Sequence, residues 1–270
     1  MDVRREVVDG TVDCRNSGLR PPSTNRRTFM RLSDFKALSF DCYGTLIDWE
    51  SGMIKALKTL TSKVSGPLKR NNILEAHARY ESMQQRYTPA KNYKDILAAV
   101  YKRLADEWGV AVQWEECLAY GRSVGDWPAF ADSPSALQYL KQHFKLIILS
   151  NVDNASFALS NRRLQVTFDA IYVAEDIGSY KPDQRNFAYM LENLKALGIE
   201  KHQILHTAES MFHDHAPANI CGLKSAWIYR RHADTGFGAT MTPEAMPKYD
   251  FRFNSMSDLV KAHKAELRSG

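Results

Sequence analysis

Four groups of polar residues in this chain each follow a short apolar run, and together they could form a nucleophilic site. Asp41 closes the run Phe35-Lys36-Ala37-Leu38-Ser39-Phe40 and opens the turn Cys42-Tyr43-Gly44-Thr45. A carboxylate at a buried strand end can attack an electrophilic carbon and hold it as an ester. The same position also suits an Asp that caps a loop. Ser150-Asn151 ends a second apolar run, Lys181 follows a third, and Glu209-Ser210 with Asp214 follows a fourth. Lys181 can keep a nearby carboxylate ionised through a charge-assisted hydrogen bond, or form an ordinary loop salt bridge. Thr45 and Ser150 offer hydroxyls that orient carboxylates, or plain turn chemistry. Asp214 offers a second carboxylate, or a cap for the helix starting near His215. His213-Asp214-His215 has metal-binding types, but alternate residues diverge at a helix start, so His213 reads as a polar group near the site. Cys42 has nothing nearby in sequence to activate it and reads as a buried thiol.

Strands are expected at 35–41, 146–149, 170–173, 203–206, 224–228 and 249–253, with helices at 154–164, 183–197, 215–221 and 256–263. Strand–helix alternation with short connections predicts an α/β fold with a doubly wound, Rossmann-like parallel sheet. Residues 51–127 read as mostly helical, with a stripe at Ile54, Leu57, Leu60 and Val64 and helices at 73–87, 96–108 and 114–123. This insertion after the first strand predicts a helical cap over 53–128, on a core of 34–52 and 129–270. Ligands of such sheets bind beyond the carboxyl ends of the strands, where a cap excludes water. Residues 1–33 are expected to be a disordered extension. Ser17-Gly18-Leu19-Arg20-Pro21-Pro22-Ser23 reads as an unfolded tether, Met30 suits an alternative start, and no apolar signal core is visible.

The run Phe40-Asp41-Cys42-Tyr43-Gly44-Thr45-Leu46-Ile47-Asp48, then Ser150-Asn151, Ser179-Tyr180-Lys181-Pro182-Asp183, and Glu209-Ser210 with Asp214, resemble in order the four motifs of the haloacid dehalogenase superfamily. The resemblance spans about residues 35–260. Phosphatases of that superfamily carry a second Asp two residues after the nucleophile, where this chain has Tyr43. The sequence is therefore similar to the type II (L-2-haloacid) dehalogenases, whose motif reads Asp-x-Tyr-Gly-Thr, and Trp127-Pro128-Ala129-Phe130-Ala131-Asp132 fits that branch too. The resemblance implies that Asp41 displaces halide from a short 2-haloacid and that water then hydrolyses the ester to a 2-hydroxy acid. It implies no metal or cofactor. Lys181 would align Asp41, Thr45 would orient it, and Asp214 would position water. Asn151 would donate to the halide, with Tyr43, Ser150 and Ser210 against the substrate. An arginine of the first cap helix would clamp halide and carboxylate: Arg79 by position, or else Arg86. Three positions depart from the dehalogenase pattern: Glu209, Met211 and Phe187. Glu209 favours an alternative reading as a Mg²⁺-dependent phosphatase. A hydrolase of another electrophilic acid, or a non-catalytic binder of small acids, also stays open.

Composition narrows the partners. The 270 residues are 44% hydrophobic and 25% charged, with a net charge of +5. Residues 1–35 hold seven basic and five acidic residues, leaving 29 against 26, or +3, for the rest. That is too little to suggest nucleic acid. No apolar run approaches membrane-spanning length. Cys14, Cys42, Cys117 and Cys221 form no CxxC pair, which suits a reducing compartment, here the cytoplasm. The expected partner is a short haloacid, and the resemblance allows a homodimer.

Overall fold

A computed structural model describes residues 30–269. The tether and Cys14 fall outside that range, and Met30, the alternative start, is its first residue. Leu32, by contrast, is buried, and Arg31 and Leu32 hydrogen-bond Glu266, so the folded part begins before residue 34.

The six strands are β1 (Ala37–Phe40), β2 (Lys145–Ser150), β3 (Ala170–Val173), β4 (Ile204–Ala208), β5 (Lys224–Ile228) and β6 (Phe251–Phe253). They form one parallel sheet in the order β3-β2-β1-β4-β5-β6. The central strands are apolar along their whole length because both faces are covered. Leu38, Phe40, Leu146 and Ile148 belong to one core cluster, whereas Ala37, Ile147 and Leu149 belong to another, as the period of two requires.

Between β1 and β2 the chain forms α1 (Trp49–Ala56), α2 (Lys58–Thr61), α3 (Arg70–Tyr87), α4 (Tyr93–Glu107) and α5 (Trp114–Arg122). The stripe expected at 54–64 is divided, with α1 and α2 parted at Leu57. The remaining helices are α6 (Ser133–Leu140), α7 (Asn154–Leu164), α8 (Ala174–Ile177), α9 (Gln184–Ala196), α10 (Ala216–Cys221) and α11 (Met256–Ser269). α6 and α8 are additions to the sequence reading. No helix among the described residues is long and apolar enough to cross a membrane.

The order places β1 at the switch point, where the chain's strand order reverses and crevices open. Phe40 pairs with Ile148 on one side and Thr207 on the other. The residues following β1, β2 and β4 therefore leave the sheet side by side.

Candidate active site

Asp41 turns out of β1 into a tight loop. Gly44 has φ +95°, and a Cβ there would meet the Trp49 indole at 3.0 Å, so the position favours glycine twice over. This turn lets Thr45 fold back: its hydroxyl donates to Asp41 Oδ2 at 2.7 Å and accepts from the Glu209 amide at 2.9 Å. One hydroxyl thus ties the ends of β1 and β4 together.

Lys181 is the electrostatic centre, with 1% exposure. Its Nζ donates to Asp41 Oδ1 at 3.0 Å, Asp214 Oδ1 at 2.6 Å and the Leu149 carbonyl at 2.9 Å. All three ammonium hydrogens have partners. Asn151 fixes the Lys181 backbone at both ends, accepting from its N–H at 2.6 Å and donating to its carbonyl at 2.9 Å. Asn151 is therefore chiefly a clamp on Lys181, leaving one Nδ2 hydrogen for any other partner.

Asp214 Oδ1 also accepts from His206 Nε2 at 3.0 Å, and His206 Nδ1 meets the Ser39 hydroxyl at 2.9 Å. Because the carboxylate can only accept, His206 carries a proton on Nε2. Burial alone would raise the Asp214 carboxyl, but Lys181 and His206 outweigh it and hold it well below the usual range. Asp41 is pushed above its ordinary value by burial and by Asp214, with Lys181 and Thr45 opposing. For Lys181, burial is overcome by the two carboxylates, which raise its pKa.

These groups face a cavity of about 30 Å³ lined also by Tyr43, Trp49, Glu81, Tyr93, Ser150, Asn151, Ser210 and His213. Two buried polar atoms of its lining residues, Ser150 Oγ and Asp214 Oδ2, have no partner among the described residues. The Tyr43 hydroxyl bonds Ser160 at 2.9 Å and its ring stands edge-on to Trp127, so its phenol points away from acid–base work. Ser210 Oγ accepts from the His213 amide at 2.9 Å and lies 3.2 Å from its Nδ1. Burial pushes His213 down to about 4, leaving it neutral near pH 7.

The sequence reading is corrected at the arginines. Arg79 is 48% exposed, pairs with Glu107 at 2.5 Å and does not line the cavity. Arg86 is exposed and lines a separate cleft beside Ser179–Asp183. Helical phase explains both: His77, Glu81 and Gln85 form the inward stripe of α3, and Arg79 is two residues out of phase. Glu81 is the cap-helix residue at the cavity. Glu209 instead lines two neighbouring cavities, one with Arg230 and Arg231 and one with Met211 and Trp227. Phe187 packs edge-on against His206. Trp49, Glu81, Tyr93 and His206 complete the site and were not singled out for it. A histidine interrupting an apolar strand was the one available signal for His206.

A family model described as haloacid dehalogenase-like hydrolase matches residues 35–207. An (S)-2-haloacid dehalogenase of Pseudomonas putida is 25% identical over 207 residues, covering 74% of this chain and 87% of its own. Among solved structures, an L-2-haloacid dehalogenase aligns over 87% of this chain and all of its own, with TM-score 0.66 and 22% identity. The L-2-haloacid dehalogenase of Xanthobacter autotrophicus with chloropropionic acid covalently bound covers 84% and 97%, at TM-score 0.68 and 18% identity. A magnesium-bound putative hydrolase of the superfamily from Bacillus subtilis, YfnB, covers 85% and 99%, at 0.66 and 19%. These structures share the fold, and with the family match over β1 to β4 and the helices between β1 and β2, the chain belongs to the haloacid dehalogenase-like hydrolases.

Proposed function

We propose that the protein hydrolyses the carbon–halogen bond of a short 2-haloacid through an ester on Asp41. The observation that carries this reading is the pairing of a held carboxylate with free acceptor and donor sites. Asp41 is fixed by Thr45 and Lys181, while Ser150 Oγ and Asp214 Oδ2 stand unpartnered around the same cavity.

In the first step an Asp41 oxygen bonds to C2 as the carbon–halogen bond breaks, and the halide leaves with the electron pair. Ser150 Oγ–H and the remaining Asn151 Nδ2 hydrogen are the donors for substrate carboxylate and halide. Lys181 keeps Asp41 ionised and fixed in direction. In the second step Asp214 Oδ2 takes a proton from water, whose oxygen adds to the Asp41 carbonyl carbon. The bond from that carbon to the 2-oxygen of the substrate then breaks. The alkoxide receives the proton from Asp214 and leaves as the 2-hydroxy acid, and Asp41, left as a carboxylic acid, releases water's second proton to solvent and returns to the carboxylate.

No metal enters this scheme. The cation between Asp41 and Asp214 is the Lys181 ammonium, and Glu209, the second acid of a magnesium reading, lines other cavities. Tyr43 replaces the acid that would protonate a phosphate ester's leaving group.

The test is halide release from fluoro-, chloro- and bromoacetate and both 2-chloropropionate enantiomers, with and without EDTA. Release is expected to survive EDTA and to fall at least about a thousandfold in Asp41→Asn. EDTA-sensitive release of phosphate from phosphate esters, with no halide from any haloacid, would overturn the reading.

A further inference from the structure

Glu81 is the carboxylate that α3 brings to the cavity where an arginine was expected. It is nearly fully buried. Its Oε1 accepts from Gln85 Nε2 at 2.9 Å, and His77 Nδ1 lies 3.3 Å from Oε2. His77 is in turn held by the Tyr120 hydroxyl at 2.8 Å. These contacts fix a carboxylate on the cavity wall, with Tyr93 lining the same cavity.

The consequence follows from placement. Asp41, Ser150, Asn151 and Lys181 rise from the strand ends and form the floor, where the reacting carbon and its carboxylate belong. Glu81 comes from the opposite side. A substituent on C2 that reaches the cap therefore meets an acceptor. Glu81 is nearly fully buried, so a substituent placed against it displaces the little water that can reach that carboxylate. An alkyl end covers the acceptor lone pairs that Gln85 and His77 leave free without satisfying them, and a second anion repels the carboxylate, whereas a hydrogen-bond donor satisfies it.

We propose that Glu81 sets the substrate's second functional group, selecting 2-haloacids whose side substituent ends in a hydroxyl or an ammonium. This rests on the assignment of Asp41 as nucleophile and of its cavity as the substrate site. Asymmetry of this kind is effective, because a site built to hydrogen-bond a group strongly rejects an analogue lacking it.

Three near-isosteric acids test it: 2-chlorobutyrate, 2-chloro-3-hydroxypropionate and 2-chloro-3-aminopropionate. The wild-type kcat/KM for the hydroxyl and ammonium compounds is expected to exceed that for 2-chlorobutyrate at least tenfold. Glu81→Gln should keep the hydroxyl preference and lose the ammonium preference; Glu81→Leu should reverse both, with melting temperatures recorded to confirm folding. Calorimetric binding of the halogen-free butyrate, 3-hydroxypropionate and 3-aminopropionate to the wild-type protein gives the same comparison without chemistry. Halide release with no donor preference overturns the role of Glu81 and leaves Asp41 in place. Absence of halide release from every acid, with donor acids still binding tenfold tighter than butyrate, overturns the Asp41 reading and supports Glu81. Equal binding of the three, or none, overturns the Glu81 proposal.

Discussion

Thr45 is the smallest part of the site and carries two duties, orienting Asp41 and receiving the Glu209 amide. Thr45→Val keeps the shape and removes both hydrogen bonds. A hydrogen bond to a charged group contributes about 1.5–3 kcal/mol, so kcat/KM is expected to fall roughly ten- to a hundredfold. In the proposed reaction Asp41 must be ionised to attack, and its pKa lies above the ordinary 3.8. Activity is therefore lost as pH falls through that raised value, and the acid limb of the pH–rate profile should lie above 3.8. In Thr45→Val the limb should move to still higher pH, because the hydroxyl favours the charged form. Lys181→Met leaves Asp41 and Asp214 buried without their cation. It should destabilise the fold by about 3–5 kcal/mol in urea titration as well as abolish turnover. At this scale the sequence was informative where chemistry coincides with a strand end, as at Asp41, Ser150, Lys181 and Asp214. For His206 it offered only a histidine in an apolar strand and for Ser39 nothing, because the two meet only where β1 and β4 lie side by side in register.

Helical phase decides what the cap presents. α3 was legible as a helix, yet the rotation of α3 about its axis comes from packing on α4, which no local spacing reports. Hence Glu81 lies inside and Arg79 outside. α6 escaped notice because Pro134 reads as a breaker, although proline is well tolerated in a first helical turn. The division at Leu57 is equally invisible, since the apolar stripe continues across it. α4 and α5 pack closely through Gly121, whose added Cβ would lie 2.1 Å from the Lys94 carbonyl oxygen. That neighbour is helix backbone and cannot yield. Gly121→Ala is expected to destabilise the protein by about 1–3 kcal/mol in urea unfolding and to raise KM, because α4 carries Tyr93 at the site.

On the scale of the whole molecule, burial sets the pH response. Glu209 is pushed up to about 8 by burial, with Glu50 and Asp41 adding to the shift. An acid that binds its proton more tightly in the fold than in the unfolded chain contributes stability that is complete below the ordinary 4.5 and lost as pH rises to about 8. His213 and His215, pushed down to about 4 by burial, act in the other direction, losing their contribution as pH falls from 6.5. Above pH 6.5 the Glu209 contribution can be followed apart from these two. Between pH 6.5 and 8.5 the wild type should lose about 2 kcal/mol in urea unfolding that Glu209→Gln does not lose. The same burial governs the thiols. Cys42 and Cys117 are inaccessible, Cys221 is half-buried, and burial raises the pKa of all three. Haloacids alkylate thiolates, and a thiol kept protonated and out of reach is a poor target. Cys42 adjoins the proposed nucleophile, so in that reaction a thiolate there would compete with Asp41 for the same carbon and become permanently S-alkylated. Its protonation leaves the carboxylate as the group to be esterified, and that adduct can be reversed by water.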